Sequence, residues 1–96
     1  MSELPISHGE GKNKGSWYVE RDGERIAEMT YSKAGETRII IDHTEVDPSL
    51  KGQGVGKALV LSAVEWARVS GVKILPLCPF AKAMIDRHPE WQDVLD

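Results

Sequence analysis

Ninety-six residues at 10.6 kDa suffice for one compact domain and not for two, because a chain this short buries only roughly two-thirds of its unfolded surface. An apolar fraction of 41% beside 28% charged residues excludes a disordered acidic tail and a membrane-protein composition. Twelve basic against fifteen acidic residues leave a net charge of -3, which argues against the broad basic face of a nucleic-acid binder.

The charge is uneven. Residues 1–50 hold six Lys/Arg against ten Asp/Glu, and residues 51–96 hold six against five, so a small anionic ligand is expected to prefer the second half. No stretch approaches the ~20 apolar residues that span a bilayer, and Met1 to Glu10 has neither the basic nor the apolar region of a leader. Cys78 is the single cysteine and the three histidines are scattered, which leaves no internal disulfide and no recognisable zinc cluster. The expected setting is the cytoplasm.

In chain order, residues 1–15 carry Pro5, Gly9, Gly11 and Gly15 and read as a flexible arm with at most a short edge strand; residues 16–96 read as a single domain. Trp17 to Arg21 is aromatic and β-branched, Asp22-Gly23 is a two-residue hairpin signal, and Glu24 to Tyr31 returns. A second turn at Ser32 to Gly35 leads to a strand over 37–46, whose Ile39-Ile40-Ile41 suggests burial on both faces. Asp47-Pro48-Ser49 breaks the sheet.

A helix then starts near Gly54. Val55, Leu59, Ala63 and Ala67 recur four apart with Val60 and Val64 beside them, and Gly71 ends the run. Residues 72–78 read as a short apolar strand, Pro79 opens a second helix to about Arg87, and the tail adds a final turn around Trp91. Trp17 and Trp66 are expected in or near the core, and His8 and His88 to be incidental. The fold class is α/β (α+β), an antiparallel meander followed by a helix, a strand parallel to the third, and a second helix.

Lys51-Gly52-Gln53-Gly54-Val55-Gly56-Lys57 carries the most information. Three alternate glycines at a strand-to-helix junction let backbone N–H groups approach an anion, and the helix dipole adds positive charge there. A Walker loop fails, since Lys51 stands where its first glycine belongs and Ala58 follows Gly56-Lys57. A dinucleotide fingerprint fails because Lys57 occupies its third glycine position. The remaining alternative to a phosphate cradle is a plain turn and helix start.

Val46-Asp47-Pro48-Ser49-Leu50-Lys51-Gly52-Gln53-Gly54-Val55-Gly56-Lys57-Ala58-Leu59 resembles the acetyl-coenzyme A motif of the Gcn5-related N-acetyltransferases, and the resemblance runs from about Trp17 to Trp91. Lys51 departs from the Arg or Gln usual at that position, keeping charge but losing the planar fork. Cys78, in Leu77-Cys78-Pro79-Phe80-Ala81, is similar to the cysteine that ends the corresponding strand in the very short YjdJ-like subgroup. The resemblance implies a minimal fold with its sheet splayed between the strands ending at Val46 and Cys78, and acetyl-CoA (CoA) as cofactor. It places the pantetheine on the backbone of Glu45 and Val46, the pyrophosphate on Lys51, Gly52, Gln53, Gly54, Val55 and Gly56, and extra charge at Lys57 and Lys82. Pro79 and Phe80 border the same site. For both lysines a solvated face is the competing reading.

Acetyl transfer to an amine needs a neutral nucleophile, stabilisation of the oxyanion and a proton for the leaving thiolate. Cys78, just before a helix N-terminus, is a candidate nucleophile or proton donor, with simple packing the alternative. His43 and Glu45 alternate on one strand face, sharing it with Ile39 and Ile41 unless a bulge intervenes. They are candidates for taking the amine's proton and attracting a cationic acceptor, or else mark the strand's solvent end. No metal is expected. The implied activity is an acetyl-CoA-dependent N-acetyltransferase acting on a small-molecule or protein amine acceptor, without nucleic acid or membrane, as a monomer or weak homodimer. The alternative is a non-catalytic CoA-binding sensor or regulatory module.

Overall fold

Alternation of apolar and polar residues along the first half builds a sheet, seen in a computed structural model that describes residues 5–50 and 52–96. Five strands, β1 (Ser7–Glu10), β2 (Lys14–Arg21), β3 (Glu24–Lys33), β4 (Arg38–Val46) and β5 (Lys73–Pro76), lie in the order β1-β2-β3-β4-β5. The first three pairings are antiparallel and β4 to β5 is parallel. Asp22 and Gly23 both have positive φ, 53° and 81°, the conformation a tight two-residue hairpin requires.

The crossover from β4 to β5 is α1 (Val55–Ser70), and α2 (Pro79–Asp86) follows β5. Leu59, Val60, Ala63, Val64 and Ala67 of α1 are buried against Trp17, Val19, Ala27, Met29, Tyr31, Ile39, Ile41 and Ile74. Burial alternates along β2, β3 and β4, so one face of the sheet is covered and the other is open. This corrects the expectation for the three isoleucines: Ile39 and Ile41 are buried and Ile40, on the open face, is only half-buried. The tail forms a 3-10 turn, Pro89–Val94, with Trp91 buried and Asp93 held by a two-pronged Arg68 contact at 2.8 and 3.0 Å.

The sheet also takes in residues 7–10 and 14–15. His8 is not incidental: its ring stacks on Trp17 at 4.5 Å and 15°, and its Nε2 lies 2.7 Å from the Tyr31 hydroxyl. Trp66 of α1 closes the group, 5.4 Å from His8 and 5.9 Å from Tyr31. A methyl group at Gly15 would lie 2.4 Å from the Tyr31 ring, so the backbone there must be bare. His88 likewise stacks on Trp91, at 4.0 Å.

Burial raises the Tyr31 hydroxyl to about 12, with the Glu10 carboxylate adding to the effect, so the hydroxyl stays protonated. Burial also lowers the His8 imidazole, Glu10 opposing and Lys33 reinforcing. A folded value below the unfolded value means that the unfolded chain binds the proton first, so the stability tied to neutral His8 is complete above about pH 6.5 and declines as pH falls. Urea midpoints at pH 7.5 and 5.5 are therefore expected to differ more for the native chain than for His8→Gln; equal differences would refute a neutral, partly buried His8.

Candidate functional site

Parallel pairing between β4 and β5 is short. It covers Arg38 to Ile41 against Lys73 to Pro76 and ends where the Leu77 and Cys78 N–H groups both donate to the Ile41 carbonyl, each at 3.1 Å. Beyond that point β4 continues to Val46 while the other chain turns into α2, and the sheet opens. Asp47 N–H donates to the Ile26 carbonyl at 2.8 Å. With the register Ala27 to Val46 and Met29 to Thr44, the antiparallel alternation turns the main-chain groups of His43 and Glu45 toward β3 and those of Thr44 and Val46 toward the opening.

The register also slips within β4. Thr30 pairs with His43 but Tyr31 pairs with Ile41, leaving Asp42 as the extra residue of a β-bulge, which reverses the side-chain alternation. His43 and Glu45 are thereby exposed on the open face beside Thr30 and Glu28, not on the face of Ile39 and Ile41 as the unbroken alternation predicts. Thr44 takes the covered face instead, its Oγ1 3.3 Å from Cys78 Sγ. The structure thus brings Thr44 and Cys78 together and separates His43 and Glu45 from them across the thickness of the strand. Sequence reasoning missed Thr44, because no residue type near position 42 announces the bulge.

Cys78 is buried, 4% exposed, and caps α2, whose first residue is Pro79. Proline at that position gives up an N–H that has no helical partner. Phe80 is half-exposed, and a methyl group on Gly56 would lie 2.5 Å from its Cζ. Gly56, in the first turn of α1, is therefore the point of close approach between the two helices. Glu45 and Val46 also border a cavity of about 290 Å³ together with Arg25, Glu28 and Asp47.

The loop before α1 is anchored by Leu50, buried in the 3-10 turn Pro48–Leu50, and by the Ser49 N–H donating to Asp47 Oδ1 at 2.8 Å. That hydrogen bond lowers the Asp47 carboxyl below its usual range. Lys51 lies outside the described residues. Gly52 and Gly54 have φ of 83° and 72° with open space where a Cβ would stand. Gln53 spends its N–H on the Leu50 carbonyl at 3.2 Å.

Gly54 caps α1 with no side-chain hydrogen bond, and the first helical bond runs from Ala58 N–H to the Gly54 carbonyl at 3.0 Å. The amides of Val55, Gly56 and Lys57 thus precede the helical ladder, with no acidic residue in that first turn. Bare backbone, helix-start amides ahead of the ladder and a first turn without carboxylates together fit a diphosphate. Lys57 is exposed on the first turn. Lys82, on α2, pairs with Asp86 at 3.1 Å, which offsets its charge.

Among the described residues no helix is long and apolar enough to cross a membrane, and no group of three or more His, Cys, Asp and Glu is placed to hold a metal ion. Among known proteins, residues 16–94 match the family model of the GCN5-related N-acetyl-transferases. A search of curated proteins finds no significant match.

Among solved structures, the chain is similar to the solution structure of a GCN5-like protein from Staphylococcus aureus described as an N-acetyltransferase. The two share 41% identity and a TM-score of 0.75, over 100% of this chain and 91% of that one. Two more distant structures share the fold. A ribosomal-protein-alanine N-acetyltransferase from Brucella melitensis biovar Abortus 2308 has 16% identity and TM-score 0.61, over 90% of this chain and 64% of that one. AAC(6')-Iy in complex with the bisubstrate analogue CoA-S-monomethyl-acetylneamine has 17% identity and TM-score 0.54, over 84% and 62%. A sheet that parts after Ile41, a glycine loop opening the crossover helix, and a family match over 16–94 make this chain a member of the GCN5-related N-acetyltransferase family.

Proposed function

We propose that this chain binds acetyl-CoA in the β4–β5 opening and transfers the acetyl group to an amine. The observation that carries the reading is that two main-chain segments converge on one opening. The amides of Val55 to Lys57 and the bare backbone at Gly52 and Gly54 lie at one end, and the main-chain groups of Thr44 and Val46 lie along its side, leading toward Cys78. The loop amides would hold the pyrophosphate, with Lys57 adding charge, and Thr44 and Val46 would pair with the pantetheine as a further strand does. When bound, the coenzyme supplies the activated thioester.

The chain's own groups then divide the remaining work. Cys78 Sγ lies at the opening and is placed to act as nucleophile or as proton donor to a departing thiolate. His43 and Glu45 face the open side of the sheet. There Glu45 would attract a protonated amine and His43 would take its proton, Glu28 across from Glu45 being paired with Arg25. The cavity beside Glu45 and Val46 supports an approach of the acceptor from that side.

Intact mass measured after incubation with acetyl-CoA tests the reading, together with thiol release across a panel of amines. The expected result is amine-dependent CoA release that rises with pH, with any label on the protein lost in Cys78→Ala. Tight CoA binding with no release under any amine would instead identify a sensor, and no binding at all would remove both readings.

A further inference from the structure

Thr44 is placed by the bulge at Asp42 so that one residue meets the opening twice, through its main chain and through its hydroxyl. We infer that Thr44 is a positioning residue that donates its hydroxyl hydrogen to Cys78 Sγ, fixing the sulfur at the β4–β5 opening. This deepens the reading of that opening as the thioester site and rests on it.

Three observations carry it. The 3.3 Å contact spans the two chain segments that separate after Ile41, so it ties the sulfur to the strand opposite its own. Cys78 is buried, and among the described residues Thr44 is the hydrogen-bond partner of its sulfur. A hydroxyl is a stronger donor than a thiol, and a thiolate can only accept, so the contact becomes charge-assisted when sulfur is ionised.

Ionisation breaks the S–H bond, leaves its electron pair on sulfur and passes the proton to water, so no further reactant is required. The charged and titratable groups on neighbouring elements include Asp42, His43 and Glu45 on β4, Lys73 on β5, Lys57 on the first turn of α1, and Lys82 with Asp86 on α2. All are exposed.

The test is a titration of thiolate ultraviolet absorbance in the full chain without coenzyme, each protein read against its own Cys78→Ser counterpart. In Thr44→Val, which keeps the shape and removes the hydroxyl, the midpoint is expected to move up by about one pH unit, and alkylation of Cys78 at pH 7 to slow by about tenfold. Thr44→Ser restores the donor and should stay with the native chain.

A midpoint in Thr44→Val that is unchanged or lower overturns the inference. So does a Thr44→Ser variant that shifts as far as Thr44→Val, because that pattern reports packing rather than donation. Since no coenzyme is present, failure here is separable from failure of coenzyme binding, which the glycine-loop variants report.

Discussion

Gly54→Glu is expected to weaken CoA binding by about a hundredfold or more, equivalent to about 2.7 kcal/mol, while leaving the chain folded. Gly54 sits at φ 72° as the cap of α1. An L residue forced into that left-handed conformation costs roughly 1–2 kcal/mol. Nothing within 4 Å would meet the new Cβ, so the protein itself offers no clash and the larger effect falls on the ligand. A carboxylate is introduced beside amides that are proposed to face two phosphates, reversing the sign of the local field.

Gly71→Ala is the matched control. Gly71 has φ 73° at the other end of α1, so its replacement carries similar strain and should lower stability without changing affinity. Calorimetric titration with CoA separates the two. If Gly54→Glu binds CoA as tightly as the native chain, the diphosphate does not lie on this loop.

Trp17→Ala is expected to cost about 3–5 kcal/mol of stability, a large share of the roughly 5–15 kcal/mol typical of a domain. Trp17 is 2% exposed and packs against both the His8 ring, at 4.5 Å, and the ring of Tyr31, whose centroid is 4.6 Å away. It also meets the edge of Trp66 at 5.7 Å. Its loss leaves a cavity where β1, β2, β3 and α1 meet, and these rigid elements cannot all close it. The urea midpoint is expected to fall by about 1 M or more, with slopes of about 1–3 kcal/mol per molar for small domains. Removing the His8 ring in the Trp17→Ala background should then cost less than in the native chain, because its stacking partner is gone while its contact with the Tyr31 hydroxyl remains. A loss below about 1 kcal/mol for Trp17→Ala would mean that this aromatic group does not hold the first strand to the sheet.

The sequence alone determined those features that depend on neighbours within a few residues. The Asp22-Gly23 turn, the four-residue spacing of Val55, Leu59, Ala63 and Ala67, the Gly71 stop and the Pro79 start are local rules of backbone conformation and helix burial, and each lies where the pattern put it. The glycine run was legible for the same reason, since a positive φ at Gly52 and Gly54 and a helix start behind them are properties of the local backbone. Tertiary structure alone decided which way the side chains of β4 point. The bulge at Asp42 is a property of how β4 registers against β3, and a slip of one residue sends His43 and Glu45 to the open face and Thr44 to Cys78. The packing of His8 has the same origin: a short, glycine-bordered strand gains its place by pairing with β2 and laying an imidazole on Trp17 and Tyr31, residues that a linear reading sees as separate.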